Sequence, residues 1–413
     1  MSVLRVPFLR AFEVFRIPGY RLLWPANFLA YTARWMQVTL LGWLVLELTN
    51  SAFRVALLGA SGMLPLLCFG LVGGVLADRV NKQQLLIVTQ TLSCGASVFM
   101  VCMLIADVVC FWHAYLAIGV TGIGWALDMP SRRSLVHDLV GGPKLTNAIA
   151  MDSVGMQASR MIGPGLAGAL ITMTDVLGGY AVVSMVYIVG LALIAVARIP
   201  AASRSPKEKD QTPVDLLAAM RHVTSDKVLL ATVFVTILMN LLLFPHVELL
   251  PVIARDVLQI GPGRMGTLLA IEGLGALFGA ISIASMGAIR YHGRFYTVGS
   301  MLALIMLFCF SMCQGYLVTL VILFLLGFAT SGFATMQSTL VLLRTDQALR
   351  GRALGVISLA IGAGPLGAMM IGILAEKRSV TFALEVHSLL GILSLSLIGF
   401  LMPRLWRHPT VLR

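Results

Sequence analysis

Long apolar runs alternate with short polar breaks along almost the whole chain. A continuous run of about 20 apolar residues has the length of a bilayer-spanning helix. The runs are unbroken rather than alternating, which points to helices and not to barrel strands. Spans are predicted near 21–47, 54–77, 84–106, 112–130, 147–171 and 179–197, and again near 228–250, 264–287, 295–313, 316–341, 352–374 and 381–402. The one long polar break, 198–227, carries Pro206 and Pro213 and divides six spans from six. The expected organisation is an amphipathic cytoplasmic segment 1–20, an N-terminal six-helix bundle 21–197, a cytoplasmic central loop 198–227, a C-terminal six-helix bundle 228–402 and a cytoplasmic tail 403–413. The fold class is therefore all-α integral membrane, with 12 transmembrane helices.

Composition agrees with this reading. Of 413 residues, 58% are hydrophobic and 12% charged, and the mean hydropathy is +0.92. No soluble domain buries such a fraction. The net charge of +12 raises the question of a nucleic-acid partner, and its distribution excludes one. With the N-terminus in the cytoplasm, the inside segments hold 23 of the 30 Lys and Arg and the outside segments five. That asymmetry is the positive-inside signature of topology, and it puts both termini in the cytoplasm. Arg34 and Arg160 lie within spans. Arg5, Arg10 and Arg16, interleaved with Phe and Val, suggest an amphipathic helix on the inner face. The first twenty residues lack a signal-peptide pattern. The six cysteines form no CxxC pair or Cys/His cluster, so neither a disulfide framework nor a metal site is expected. No phosphate-binding loop of the ATPase type appears, and no cofactor is expected.

The halves echo one another. "RMIGPGLAGAL" (160–170) in the fifth span has a counterpart "AIGAGPLGAMMIG" (360–372) in the eleventh, and "DRVNK" (78–82) has a weaker one in "RYHGR" (290–294). Duplicated six-helix units are a hallmark of secondary transporters that rock about a central site. On these residues the chain resembles the major facilitator superfamily over essentially its full length. The family signature between helices two and three is matched by Gly74, Asp78, Arg79, Asn81 and Lys82, with Gln83 in the second basic slot. Asn81 stands where the family has Gly, and is expected there as a residue tolerant of a left-handed turn. The stretches 128–171 and 349–375 are similar to the bacterial enterobactin-exporter and multidrug-efflux branch. Gly163, Pro164 and Gly168 match the antiporter motif of helix five, with Ala167 for the first paired glycine. The Arg that many proton-coupled exporters carry in helix four is Ile118 here, ahead of Gly122 and Gly124.

The resemblance implies two six-helix pseudo-symmetric bundles (the major facilitator fold), and a multi-pass protein of the bacterial inner membrane acting as a monomer by alternating access. It implies proton-coupled export of a small amphipathic or anionic molecule: a drug, a siderophore or another metabolite. A lipid or lysolipid flippase on the same fold and a non-transporting receptor or assembly factor are the alternatives. An enzyme is not expected, His137-Asp138 being the one interfacial His/Asp pair. Asp78 and Arg79, by the same resemblance, form a conformational latch facing the start of helix eleven at Arg350 and Arg352. A carboxylate at a helix N-terminus gains roughly 0.3–1 kcal/mol.

Charges deep in spans are expensive and mark cavities or partners. Arg34 shares a helix face with Asn27 and Tyr31 by i, i+4, i+7 spacing, next to Trp35. Asp152 lies on a face of helix five with Arg160 beside it. These six residues are candidates for substrate binding. An ion pair of either Arg with Asp128, Asp152 or Glu272 is the competing reading. Glu272, with Gly275 and Gly279 following on its face, is a candidate proton carrier or the structural partner of an Arg; Glu248 and His246, beside Pro245 and Pro251, are candidate gate or relay residues. Gly163-Pro164 and Gly364-Pro365 are expected to act as hinges, packing seams, or both.

Overall fold

The computed structural model describes residues 12–141, 144–197, 216–286, 290–345 and 349–407. Among them the regular elements are all helical. Nine segments of the described residues are long and apolar enough to cross a bilayer. One of these, 147–196, is 50 residues long, about twice what a single crossing needs. Contacts divide the chain into two units: 1–44 with 64–207, and 45–63 with 208–413.

The first unit contains α1 (Pro18–Thr49) up to residue 44, the later part of α2 (Ala52–Arg79), α3 (Lys82–Ile105), α4 (Phe111–Val140) and α5 (Leu145–Val196). Its core joins Tyr20, Leu23 and Ala26 of α1 to Leu86 of α3, Leu135 and Val136 of α4, and Ala148 and Ile194 of α5. Backbone carbonyls on α5 accept from α1 side chains. The Tyr20 hydroxyl donates to Ala148 O at 3.0 Å, and Trp24 Nε1 donates to Met151 O at 2.8 Å. In the middle of α5, Asp175 takes φ 86°, ψ −175°, a region that strongly favours glycine. Its Oδ1 accepts from Gly178 N at 2.9 Å, so one residue ends the first helical rod and caps the second.

The second unit contains α6 (Leu216–Ser225), α7 (residues 227–257), α8 (Pro262–Ser285), α9 (His292–Ser311), α10 (Tyr316–Arg344), α11 (Arg350–Ile361), α12 (Gly364–Lys377), α13 (Val380–Leu401) and the short α14 (Arg404–Arg407). The hairpin 45–63, which joins α1 to α2, packs as part of this unit. Glu376 Oε2 accepts from Ser51 Oγ at 3.1 Å and from Phe53 N at 3.2 Å. Arg255 Nη1 donates to Asn50 Oδ1 at 2.7 Å.

Four expectations change. The fourth helix does not end near 130 but runs to Val140. Arg132, read as an inside-loop charge, is therefore a helical residue and is 1% exposed. The polar break 198–227 contains a helix, α6, whose Val223 packs against Ala353 and Val356 of α11. The eleventh span is two helices, interrupted at Gly362 and Ala363. Asn81 is not left-handed: at φ −65°, ψ 115° it is the N-cap of α3, its side chain accepting from the backbone of Gln83 and Gln84. The physical reason is that a short polar side chain can satisfy orphan amides at a helix start.

Gly275 and Gly279 of α8, with Gly327 of α10, form the close seam their spacing predicts. A Cβ on Gly275 would collide with the Phe324 carbonyl, and one on Gly327 with the Glu272 carbonyl. Backbone cannot rotate away as a side chain can, so the helices must separate. Gly327→Ala is expected to destabilise the protein by about 1–3 kcal/mol, read as a lowered thermal unfolding midpoint in detergent. An unchanged midpoint would show that the seam is slack.

Candidate functional site

Among the described residues, two buried constellations bring an acidic side chain against a basic one, one in each unit. The first is built around Arg132 of α4. One turn earlier stands Asp128, and i, i+4 spacing lets the two side chains meet. Arg132 Nε and Nη2 reach Asp128 Oδ2 at 2.9 and 2.6 Å. Nη1 donates to Asn27 Oδ1 at 2.6 Å and Nη2 to Gln90 Oε1 at 2.9 Å. Asn27 Nδ2 in turn donates to Asp152 Oδ1 at 3.0 Å. Thr89 Oγ1 is hydrogen-bonded to Asp128 Oδ1. A buried ion pair repays its desolvation only when its remaining donors and acceptors are filled, and here α1, α3, α4 and α5 all contribute to filling them.

The aromatic residues complete this site. Tyr31 meets Trp125 edge-on with ring centroids 5.6 Å apart, and the Arg132 guanidinium stands 5.9 Å from the Tyr31 ring. Arg34 stacks over Trp125 at 4.7 Å and donates from Nη1 to Thr121 O at 3.2 Å. Of the sequence candidates, Asn27, Tyr31, Arg34 and Asp152 thus gather around an Asp128–Arg132 pair that the sequence reading had not united. Trp35 and Arg160 are paired with each other instead, at 5.4 Å. Asp128 pairs with Arg132 of its own helix.

The second constellation lies on α7, which departs from regular α geometry. Its first stretch is α-helical over Lys227–Leu238; a π-helical turn follows at Met239–Leu243 and a 3₁₀ turn at Phe244–Leu249. Pro245 has no N–H to return to the Leu241 carbonyl. Gly367 of α12 packs against that carbonyl, where a Cβ would collide with it. Single π-helical turns inside α-helices are frequent at functional sites. The irregular turn brings His246 Nδ1 to 2.8 Å from Leu243 O. It brings His246 Nε2 to 3.3 Å from Glu272 Oε2 on α8. Both side chains are buried. Two residues that the sequence offered separately are therefore one contact. Glu248, three residues from Pro245, is not part of it; its carboxylate packs against Gly59.

The chemistry of this contact is constrained. A carbonyl oxygen only accepts, so His246 Nδ1 carries a hydrogen. A second hydrogen must then lie between Nε2 and Oε2. It sits either on the imidazole, giving an ion pair, or on the carboxyl, giving a neutral pair. Neither form carries a net charge.

The remaining candidates fall elsewhere. The side chains of Gly74, Asp78, Arg79, Arg350 and Arg352, the proposed latch, lie outside the described residues, as does most of the segment 1–20. Lys82 Nζ pairs with Asp138 Oδ2 of α4 at 2.6 Å. Gln83, which replaces a basic residue of the signature, donates from Nε2 to Ile194 O and Ala197 O at 2.9 and 2.8 Å. It thereby caps the end of α5, a role the sequence did not signal. The two Gly-Pro motifs differ. At Gly163-Pro164 the helix continues, and a Cβ on Gly163 would stand 2.7 Å from Trp35 Cβ and 3.0 Å from Thr32 O, so this is a packing seam. Gly168 is buried in the same helix. Gly364-Pro365 stands at the start of α12, at the break in the eleventh span, with Met63 against Gly364.

Similarity to known proteins agrees with this architecture. The chain is 26% identical over 377 residues to the multidrug efflux pump Tap of Mycolicibacterium fortuitum, covering 88% of this chain and 90% of that one. It is 26% identical over 409 residues to the enterobactin exporter EntS of Citrobacter koseri, covering 93% and 94%. Among solved structures, a bacterial homologue of the human lysosomal transporter Spinster, inward-facing and unoccupied, superposes with a TM-score of 0.71 at 16% identity, covering 94% of this chain and 98% of that one. A peptide transporter, POT, in complex with sulfate gives 0.76 at 12% identity, covering 95% and 96%. Residues 10–407 match the profile of the transmembrane secretion effectors, and this chain, a multi-pass membrane transporter and not an enzyme, belongs to that family of the major facilitator superfamily.

Proposed function

We propose that this protein exports a small amphipathic or anionic compound from the cytoplasm across a bacterial inner membrane, by alternating access, with protons moving inward as the energy source. Both termini lie in the cytoplasm, twelve crossings are made, and one chain suffices. The efflux pump and the siderophore exporter it resembles support the direction of transport and the compound class.

The observation that carries proton coupling is the buried His246–Glu272 contact. With its proton the pair is neutral as a whole and closes. Without it, a carboxylate faces an imidazole lone pair in a site of low dielectric, and the two repel. Proton gain and loss therefore favour different arrangements of α7 and α8. The Pro245 turn, already short of regular hydrogen bonds, is where that difference can be absorbed. Such a bias can drive a cycle only if the two states differ in proton affinity.

The test uses inside-out membrane vesicles and a panel of amphipathic dyes and siderophores. An imposed proton gradient, acid inside, is expected to drive accumulation of at least one compound, and a protonophore is expected to abolish it. Accumulation that persists with the protonophore, or that follows a sodium gradient alone, would overturn the proposal.

A further inference from the structure

In the second unit, the start of α9 lies beside the short α14. Gly293, in the first turn of α9, allows that approach: a Cβ there would collide with the Leu405 carbonyl. The approach sets Arg404 and Trp406 next to Tyr291 and Arg294. Arg294 is exposed and yet held in place. Its Nε donates to Trp406 O at 2.9 Å, and its guanidinium stacks on the Tyr291 ring at 4.1 Å. Trp406 Nε1 in turn donates to Gly399 O of α13 at 3.3 Å. Among the described residues, no hydrogen bond or ion pair engages the two Nη groups of Arg294. Arg290 and Arg404 are exposed close by in the chain. No Asp or Glu occurs between residues 273 and 345, or after 385. A cation in the first turn of a helix also works against the macrodipole, which is positive at that end. Here that turn holds no acid, and the N-cap Tyr291 offers no side-chain acceptor. Arginines that only set topology act by charge and need no fixed geometry. A guanidinium pinned through Nε, with its Nη edge open, is pre-organised for two oxygens of one phosphate.

We propose that this corner binds the headgroup of an acidic phospholipid. Arg294 grips the phosphate, Arg290 and Arg404 attract its net negative charge, and the indole of Trp406 lies along the glycerol and the upper acyl chain. Depth supports a lipid as the occupant. Both α9 and α13 are long and apolar enough to cross a bilayer, so the start of one and the end of the other lie at headgroup level. Trp406 is 42% exposed, and Trp and Tyr at that level form the aromatic belt of membrane proteins. Clustered basic residues just outside a span favour acidic lipids over neutral ones. A zwitterionic headgroup offers the same phosphate with a cation attached, which the arginines disfavour. A free phosphate has nothing to lay against the indole. The site uses residues of the second unit alone, and it does not depend on the exported compound or on proton coupling.

Native mass spectrometry of the full chain in detergent tests this, with titration of phosphatidylglycerol or of phosphatidylethanolamine carrying the same acyl chains. The expected result is one phosphatidylglycerol bound more tightly than the rest and more tightly than any phosphatidylethanolamine. Arg294→Lys keeps the charge and removes the planar fork. It is expected to weaken that first binding step about tenfold, the loss of a bidentate charge-assisted contact. Arg404→Gln is expected to reduce the preference for phosphatidylglycerol over phosphatidylethanolamine. Arg21→Gln removes an exposed charge at the start of α1 and is expected to change the first step less than about twofold, the size of a screened surface charge effect. Unfolding midpoints equal to the parent's verify that the variants are folded. Excess inorganic phosphate is expected to leave the lipid bound. Displacement by inorganic phosphate, equal binding of the two lipids, or the same effect from Arg294→Lys as from Arg21→Gln would overturn the proposal.

Discussion

Glu272→Gln is expected to abolish gradient-driven accumulation in inside-out vesicles while leaving downhill exchange of the same compound intact. Glutamine keeps the shape and can donate from Nε2 to His246, so the contact with α7 persists and the helices stay closed. What is lost is a proton that can leave. Without a differential proton affinity the gradient has nothing to act on, so accumulation is expected to fall to the level set by downhill exchange. His246→Gln tests the other partner. It removes the imidazole and leaves Glu272 with an amide, and coupling is expected to weaken while its pH dependence moves. If Glu272→Gln protein accumulates substrate under a gradient as the parent does, Glu272 is not the carrier.

The second large effect concerns stability. Arg132→Leu removes the cation from a buried pair and leaves Asp128, 7% exposed, without it. Breaking a buried pair from one side costs about 3–5 kcal/mol, because an uncompensated charge remains. The expected readout is a collapse of monodisperse protein on size-exclusion chromatography, or a sharply lowered unfolding midpoint. The double variant Asp128→Leu, Arg132→Leu is expected to recover most of that loss, since replacing a whole buried pair by apolar groups is often near neutral. Single and double variants of equal stability would show that the pair does not carry the network joining Asn27, Gln90 and Asp152.

Those two sites were legible in the sequence to different degrees. Glu272 and His246 stand out because a titratable residue in a long apolar run is costly and therefore informative. Their contact was not legible. It depends on Pro245 removing one helical hydrogen bond, on the wider π-helical turn just before it and on the tighter 3₁₀ turn that holds His246, which together change the face His246 presents. Asp128 and Arg132 were missed as a pair for a different reason. The run Pro130-Ser131-Arg132-Arg133 reads as the polar end of a span, and Arg132 was assigned to a loop. The i, i+4 acid–base spacing was the signal that could have joined them. The Gly-Pro motifs show a limit of repeat reasoning: Gly163 packs a continuous helix against α1, whereas Gly364 begins a new helix after a break. Neighbouring side chains decide between these outcomes, and they differ between the two halves. The helical character of the chain and its family were readable because both rest on patterns repeated many times along it.

Hydrogen–deuterium exchange of residues 239–257 at several pH values, corrected for the intrinsic pH dependence of amide exchange, tests the shared proton most directly and needs no substrate. As the pH rises and the proton leaves, these amides are expected to lose protection in the parent protein, because the His246–Glu272 contact opens at the irregular turn. In Glu272→Gln protein their protection is expected to be independent of pH. The same pH response in both proteins, or none in the parent, would contradict a proton held between these two side chains.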